Sequence, residues 1–472
     1  IFHKRFKNSF FNYTTVKQHK KFFYRSNGRL QINTGGYSPF ISVLSEEESH
    51  SNRFQKLGGG FNVNLGKRQF DTGVDFRTDE LYTGTGSWEN ESDDFIGYLN
   101  YRSLSERGWK HDIVYKKRIK SSSSNASYDY SLIDLGMGYN QSYKPFQWEI
   151  HARKEESFSE ERAIVYDSVG AGLGQYRYDP VFNTYISDVN GDFIAYNVLT
   201  GNREPNTAIE GSQKFSLDLS RVLGFPDILF RANSRQEFRG QEPTLGYILR
   251  PDIQDTSVSR SNIYSRMEMI FSSNRRILTW IENHRSLNGL DPRGNDLNQN
   301  NEVGLDLDQT LSKTFSIRNK GKLSSRSIKS TVSSLRDRDV KGWWNEVQLQ
   351  FRLNNSMDMD FSVVGGSDSG KQQGKPFSGR AYGMILQGQL FFNKTGRFRT
   401  GIHLVRAHEI NDLGYIPPEA LNGYPVGTSF RTNTRLQYFI NRSVSMVFSL
   451  NTINDDRYSN FITFQGEVRA HF

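Results

Sequence analysis

EVQLQFRLNNSMDMDFSV, running from Glu346 to Val363, carries a period of two on either side of one short break. Before the break Val347, Leu349, Phe351 and Leu353 alternate with Glu346, Gln348, Gln350 and Arg352. After it Met357, Met359, Phe361 and Val363 alternate with Asp358, Asp360 and Ser362. Successive side chains of a β-strand point to opposite faces, so each half is a strand with one apolar and one polar face. Asn354–Ser356 is short enough to turn the chain back on itself.

The same alternation recurs along the chain. FDTGVDF (Phe70, Thr72, Val74, Phe76), FQWEIHA (Phe146, Trp148, Ile150, Ala152), KFSLDLS (Phe215, Leu217, Leu219) and RFRTGIHL (Phe398, Thr400, Ile402, Leu404) all show it, with charged or amide residues at the opposite parity. Helical periodicity is almost absent. The connections fall into two kinds that tend to alternate. Gly66–Gln69, Ser105–Gly108, Gln141–Lys144, Gly224–Asp227 and Asn441–Arg442 read as short turns. Glu80–Asp93, Lys120–Ser127, Arg239–Asn262, Ser286–Asn301 and Glu409–Gly427 read as long polar loops, and the longest runs from about Glu156 to Glu210. This pattern predicts about 20 strands of roughly 9–13 residues, or about 22 if the N-terminal stretch adds a hairpin.

Composition agrees with strands that are apolar on one side only. Hydrophobic residues make up just 35% of the 472, yet aromatics reach 13%, so the chain is not of disordered composition. There is no cysteine, which excludes disulfides, thiolate metal sites and cysteine nucleophiles. The net charge of +9 is spread along the chain and interleaved with acids, which argues against a nucleic-acid patch. No apolar run approaches the roughly 18–20 residues of a spanning helix. IFHKRFKNSFFNYTT at the start has no apolar leader segment, and residue 1 is read as an internal start.

Short turn and long loop in alternation, with strands of this length, fit an antiparallel up-and-down transmembrane β-barrel with long extracellular loops. Inside hydrocarbon only a closed barrel satisfies every strand backbone, so the reading also requires the first strand to meet the last. The competing architecture is a water-soluble sandwich or propeller. Against it, no blade-length repeat is visible, and single-face burial would call for more Val, Ile and Leu. The expected layout is an N-terminal arm, extra hairpin or plug remnant over 1–27, and a barrel over 28–472. Within the barrel, 157–209 is read as an extracellular β-hairpin lid.

The last strand, NFITFQGEVRAHF (Asn460–Phe472), alternates Phe464, Val468 and Phe472 with Glu467 and Arg469. It resembles the assembly signal of bacterial outer-membrane barrels, and the C-terminal stretch resembles the ends of large outer-membrane proteins. The resemblance implies the bacterial outer membrane, with loops outside and the C-terminus in the periplasm. It also implies contact with outer-membrane lipid or lipopolysaccharide, and with the barrel-assembly machinery during biogenesis.

If the apolar parity faces lipid, the lumen receives Arg397, Arg399, His403, Arg431, Arg435 and Arg469 together with Glu467, Asp358, Asp360, Asp306 and Asp308. Such ladders set ion preference or hold a partner by charge, although any polar lumen needs solvated or paired side chains. In the long insertion, Asn190-Gly191 is the residue pair of a type I′ turn, between YIS and FIAY. DVNGD shares residues with a calcium loop but has Gly191 at the fourth position, where such a loop needs it at the sixth. No metal or cofactor is expected. GYIPPEALNGYP reads as a second lid element stiffened by Pro417-Pro418. The nine His residues fall in no HExxH, nor beside a nucleophile elbow, so the chain is not read as an enzyme. The functional expectation is a pore or conduit for a large substrate or a partner protein, gated by extracellular loops. A barrel of about 20 strands would leak unless something filled it, which brings in a plug or surface partner. The alternative is a non-conducting barrel that anchors a surface assembly or adhesin.

Overall fold

The computed structural model describes residues 2–470 except 7–8, 19–22, 49, 85, 106, 123–127, 142, 171, 224–226, 273–274, 292, 334–335, 355, 393–394, 411–415 and 441–442. The chain forms two compact units, 1–215 with 234–261 and 216–233 with 262–472. The first contains β1 (Phe2–Phe6), β2 (Ser9–Gln18), β3 (Phe23–Ile32), β4 (Tyr37–Glu48), β5 (Asn52–Leu65), β6 (Arg68–Tyr82), β7 (Trp88–Leu104), β8 (Trp109–Ser122), β9 (Tyr128–Asn140), β10 (Phe146–Ser168), β11 (Gly174–Asp179) and β12 (Thr184–Gly191). The division passes through β13 (Phe193–Asp218), β14 (Ile228–Gly240) and β15 (Val258–Ser272). The second contains β16 (Arg275–Asp291), β17 (Gly294–Thr310), β18 (Phe315–Ser330), β19 (Arg338–Asn354), β20 (Met357–Gln372), β21 (Lys375–Phe392), β22 (Gly396–Glu409), β23 (Gly427–Phe439), β24 (Val444–Asn454) and β25 (Phe461–Ala470).

The architecture is all-β, antiparallel and up-and-down. In the first unit each strand from β1 to β10 pairs with its successor. In the second the same holds from β16 to β25. The described residues of 1–27 belong to strands, because β1 pairs with β2 and β2 pairs with β3.

Register converts the alternation into two faces. Val347, Val363, Met384, Leu404 and Phe430 lie in one row across β19 to β23 and are 41–55% exposed. The parity between them carries Glu346, Val364, Val405 and Ser429, of which the last three are buried. The first unit repeats the arrangement. Val43, Leu57, Phe76, Phe95 and Ile119 form an apolar row across β4 to β8. On its other face Asp75 is buried and paired with Lys56 at 2.6 Å, and buried Asp94 is held by Arg118. Burial is thus inverted relative to a water-soluble sheet, with acids enclosed and large aliphatics exposed.

Four expectations need correction. The described residues hold 25 strands, beyond the expected count, because the N-terminal arm and the long insertion are also strand. Strands β16 to β21 run for 16–18 residues, longer than the alternation suggested. Ser286–Asn301, read as a loop, is mostly the continuation of β16 and β17, paired as far as Asp291 and Gly294. Alternation marks only the stretch where one face is apolar. Once two backbones are paired, the ladder extends through polar sequence as well.

The fourth correction concerns the long insertion. Strands β10 and β13, of 23 and 26 residues, extend into it, and β11 and β12 form a hairpin between them. That hairpin turns at 180–183, where Asp179 Oδ1 accepts from the Val181 and Phe182 amides and Asn183 takes a φ of 50°. Asn190 and Gly191 end β12 and are not among the residues with left-handed φ, so they form no type I′ turn. Gly191 serves close packing instead, since a Cβ there would lie 2.2 Å from the Tyr176 carbonyl oxygen. Tyr166 stacks on Tyr185 at 3.9 Å beside this hairpin.

Trp280 and Trp344 lie on the polar parity, whereas Trp343 is on the apolar face and exposed. Trp280 covers Gly304, where a Cβ would come within 2.0 Å of its ring. Gly304→Val is therefore expected to lower stability by about 1–3 kcal/mol through overpacking. Gly388→Val, whose Cβ meets nothing closer than 3.8 Å, is the control. Urea midpoints in detergent check the pair, and equal midpoints would show that the Trp280 ring swings aside at no cost.

Candidate functional site

The polar face of the second unit carries an in-folded strap. From Ile416 onward the chain lies on this face, and Ile416, Pro417, Ala420, Leu421 and Tyr424 are buried there. They pack on Val340, Val364, Phe377, Ala381, Ile385, Val405 and Ala407 from β19 to β22. A loop this apolar gains by leaving water, and strands that offer small and branched side chains at the polar parity supply the seat.

Directional contacts fix the strap. The Leu421 amide donates to Asp368 Oδ2 at 2.6 Å, wholly within the interior. Arg326 Nη1 donates to the Glu419 carbonyl at 2.8 Å, and Arg338 pairs with the Glu419 carboxylate at 2.8 Å. Arg431 Nη2 reaches the Gly423 carbonyl at 3.2 Å and Asp455 Oδ2 at 3.0 Å. Its guanidinium also lies over the Tyr424 ring, 4.7 Å from the centroid. Tyr424 stacks against Trp344 at 6.1 Å and shares a 3.0 Å hydrogen bond with His403 Nδ1. Burial pushes the Tyr424 phenol up from its ordinary pKa, which keeps it a neutral hydrogen-bonding group. Leu421, Asn422 and Gly423 all have left-handed φ, at 51°, 56° and 84°. A leucine in that region costs on the order of 1 kcal/mol and persists only where its surroundings over-determine it.

The residues singled out in the sequence separate into three groups. Asp358, Asp360, Arg399 and His403 come together around one cavity. Arg397 and Arg399 both donate to Gln389 Oε1, and Arg435 lies directly opposite Arg399. Arg431 belongs to the strap's anchorage. The rest lie apart. Asp306 is buried against Arg318, and Asp308 stands opposite Arg276 on one side and Arg318 on the other. On β25, Glu467 and Arg469 pair with each other at 2.8 Å. Phe464 and Val468 are exposed on the apolar parity of that strand, with Phe464 facing Phe448 at 6.2 Å. Phe472 lies outside the described residues.

Sequence reasoning missed Arg326, Arg338, Asp368 and Asp455, and treated GYIPPEALNGYP only as a stiff lid. The available signal was its apolar content, since Ile416, Leu421, Tyr424 and Val426 are poor choices for a loop held in water. Among the described residues no group of His, Asp or Glu is arranged to hold a metal. Among the described residues no helix is long and apolar enough to cross a membrane, which says nothing about strands.

No family model matches the chain, and no curated protein is significantly similar to it. Among solved structures it is similar to the ferric enterobactin receptor of Pseudomonas aeruginosa, at 10% identity and a TM-score of 0.41, over 98% of this chain and 80% of that one. It is similar to the siderophore receptor PirA of the same organism, at 8% identity and a TM-score of 0.39, over 99% and 81%. The FrpB iron transporter of Neisseria meningitidis matches at 8% identity and 0.39, over 98% and 80%. At such identity and superposition the likeness assigns no function and no residue.

Asp368→Ala is expected to free the strap, because it removes the carboxylate that holds the Leu421 amide. Leaving that N–H buried and unpaired costs about 1–3 kcal/mol. Limited proteolysis in detergent should then cut within 411–426 much faster than in the parent. Equal cutting rates would show that apolar packing alone seats the strap.

Proposed function

We propose that the chain is an outer-membrane β-barrel that acts as a conduit for a large substrate or a partner protein, and that the strap is its gate. The observation that carries the reading is the inversion of burial. An exposed row such as Val347, Val363, Met384, Leu404 and Phe430 has no place in water, but it matches a surface that meets acyl chains. The opposite face, with Asp75, Asp94, Asp306 and Gln348 enclosed, matches the lining of an aqueous passage. Strands of 16–18 residues exceed the roughly 9–11 that a bilayer requires, so the ladders continue beyond it.

In this reading the long connections, including the β10–β13 extension and the strap, lie outside the cell, and the short turns face the periplasm. Phe464, Val468 and Phe472 serve recognition by the assembly machinery. The strap is suited to gating because its anchors are several and separable. It is held by one interior hydrogen bond, two arginines at Glu419 and a stacked tyrosine.

Two measurements test the proposal. Purified protein should migrate differently in boiled and unboiled detergent gels, and a chain that stays monomeric and soluble without detergent would overturn the barrel. In planar bilayers, deletion of 411–426 should raise single-channel conductance severalfold over the parent. Insertion without conduction, before and after the deletion, would instead favour a barrel that anchors a surface assembly.

A further inference from the structure

Beside the strap, towards the short-turn ends of β20 to β22, lies a cavity of about 490 Å³. Its floor follows from register. One lining row is Asp358, Gln389 and Arg399, continued past the lining by Arg435; the next is Asp360, Gln387, Gly401 and Asn433. Gly401 leaves a gap at the centre where a Cβ would meet nothing closer than 3.9 Å.

The two walls carry opposite charge. On one side Arg399 lines the cavity, with Arg435 directly across from it on the neighbouring strand just outside the lining, an arrangement that destabilises a sheet unless something offsets it. Among the described residues no carboxylate lies within ion-pair distance of either. Arg397 and Arg399 instead share a single amide oxygen, Gln389 Oε1, at 2.6 and 2.8 Å. On the other side Asp358 and Asp360 sit two residues apart on β20, and among the described residues the ion-pair partner of Asp358 is an exposed Arg352 at 3.2 Å. Two strand spacings separate Asp358 from Arg399, about 9–10 Å between their backbones.

We infer that this cavity binds short peptides with free termini. The ammonium group points to Asp358 and Asp360, and the carboxylate points to Arg399 with Arg435 behind it. A lone anion would gain the guanidiniums but face two carboxylates, and a lone cation would meet the reverse. A dipolar ligand satisfies both walls. An extended peptide spans about 3.3–3.6 Å per residue, so two or three residues bridge them. The inference rests on the polar face being the lining of a conduit, and it names a substrate class for that lining.

The test titrates the purified full chain in detergent with trialanine, N-acetyl-trialanine and trialanine amide, followed by calorimetry. Saturable binding of trialanine is expected, about tenfold or more weakened by either cap, since each cap removes a charge-assisted contact. Arg399→Gln should erase discrimination against the amide, and Asp360→Asn discrimination against the acetylated form. Gly401→Leu should fill the cavity and abolish binding while keeping the unboiled gel mobility of the folded protein. No binding by the parent, equal binding of the three peptides, or unchanged binding in Gly401→Leu would overturn the inference. Binding in detergent needs no conduction. A protein that conducts but ignores all three peptides loses this inference alone, and one that binds but never conducts loses the conduit alone.

Discussion

A strand that shows Val347 to one environment must show Glu346 and Gln348 to the other. This two-residue rule governs both units, because a slip of one residue would carry every charge to the apolar face. The ladders enforce it over long distances. From Asp308 through Arg318, Gln348, Ser362, Ile385, His403 and Arg431, a single row crosses seven strands without a break in register. Once that row is set, the position of the cavity and the seat of the strap follow from which side chains are small.

The alternating segments were legible in the sequence because their polarity reports directly on the two faces. EVQLQFRL and MDMDFSV pair as the alternation requires, with Phe351 across from Met359 and Val347 across from Val363. Strand ends were less legible. Through Ser286–Asn301 both faces are polar, so no alternation remains, although the backbones stay paired. The Asn190-Gly191 pair misled for a related reason. Turn chemistry marks where a chain is able to reverse, whereas the reversal occurs at 180–183, where Asp179 organises the backbone.

The alternation sorts side chains by parity and says nothing of their partners. Asp358, Asp360, Arg399 and His403 were all read as polar-face residues, and they gather at one cavity. Parity says nothing about distance along the strand or about what descends from a loop. Asp368 therefore passed for one more polar residue, until Leu421, 53 positions away, was found donating to it. The two tryptophans at Trp343 and Trp344 carry the same lesson. As neighbours they must part, one to the apolar face and one to the strap.

The strap's anchors differ in their exposure to dissolved ions. Arg338 and Glu419 remain within reach of solvent, so added electrolyte screens their attraction over a Debye length of about 8–10 Å at ordinary ionic strength. The Leu421 amide and Asp368 meet in the interior, where mobile ions do not enter. Rising ionic strength thus loosens the arginine-held stretch at Glu419 before it touches the pinned centre. For the gate proposed above, the surrounding electrolyte would thus act on the Glu419 anchorage and leave the Leu421–Asp368 contact untouched.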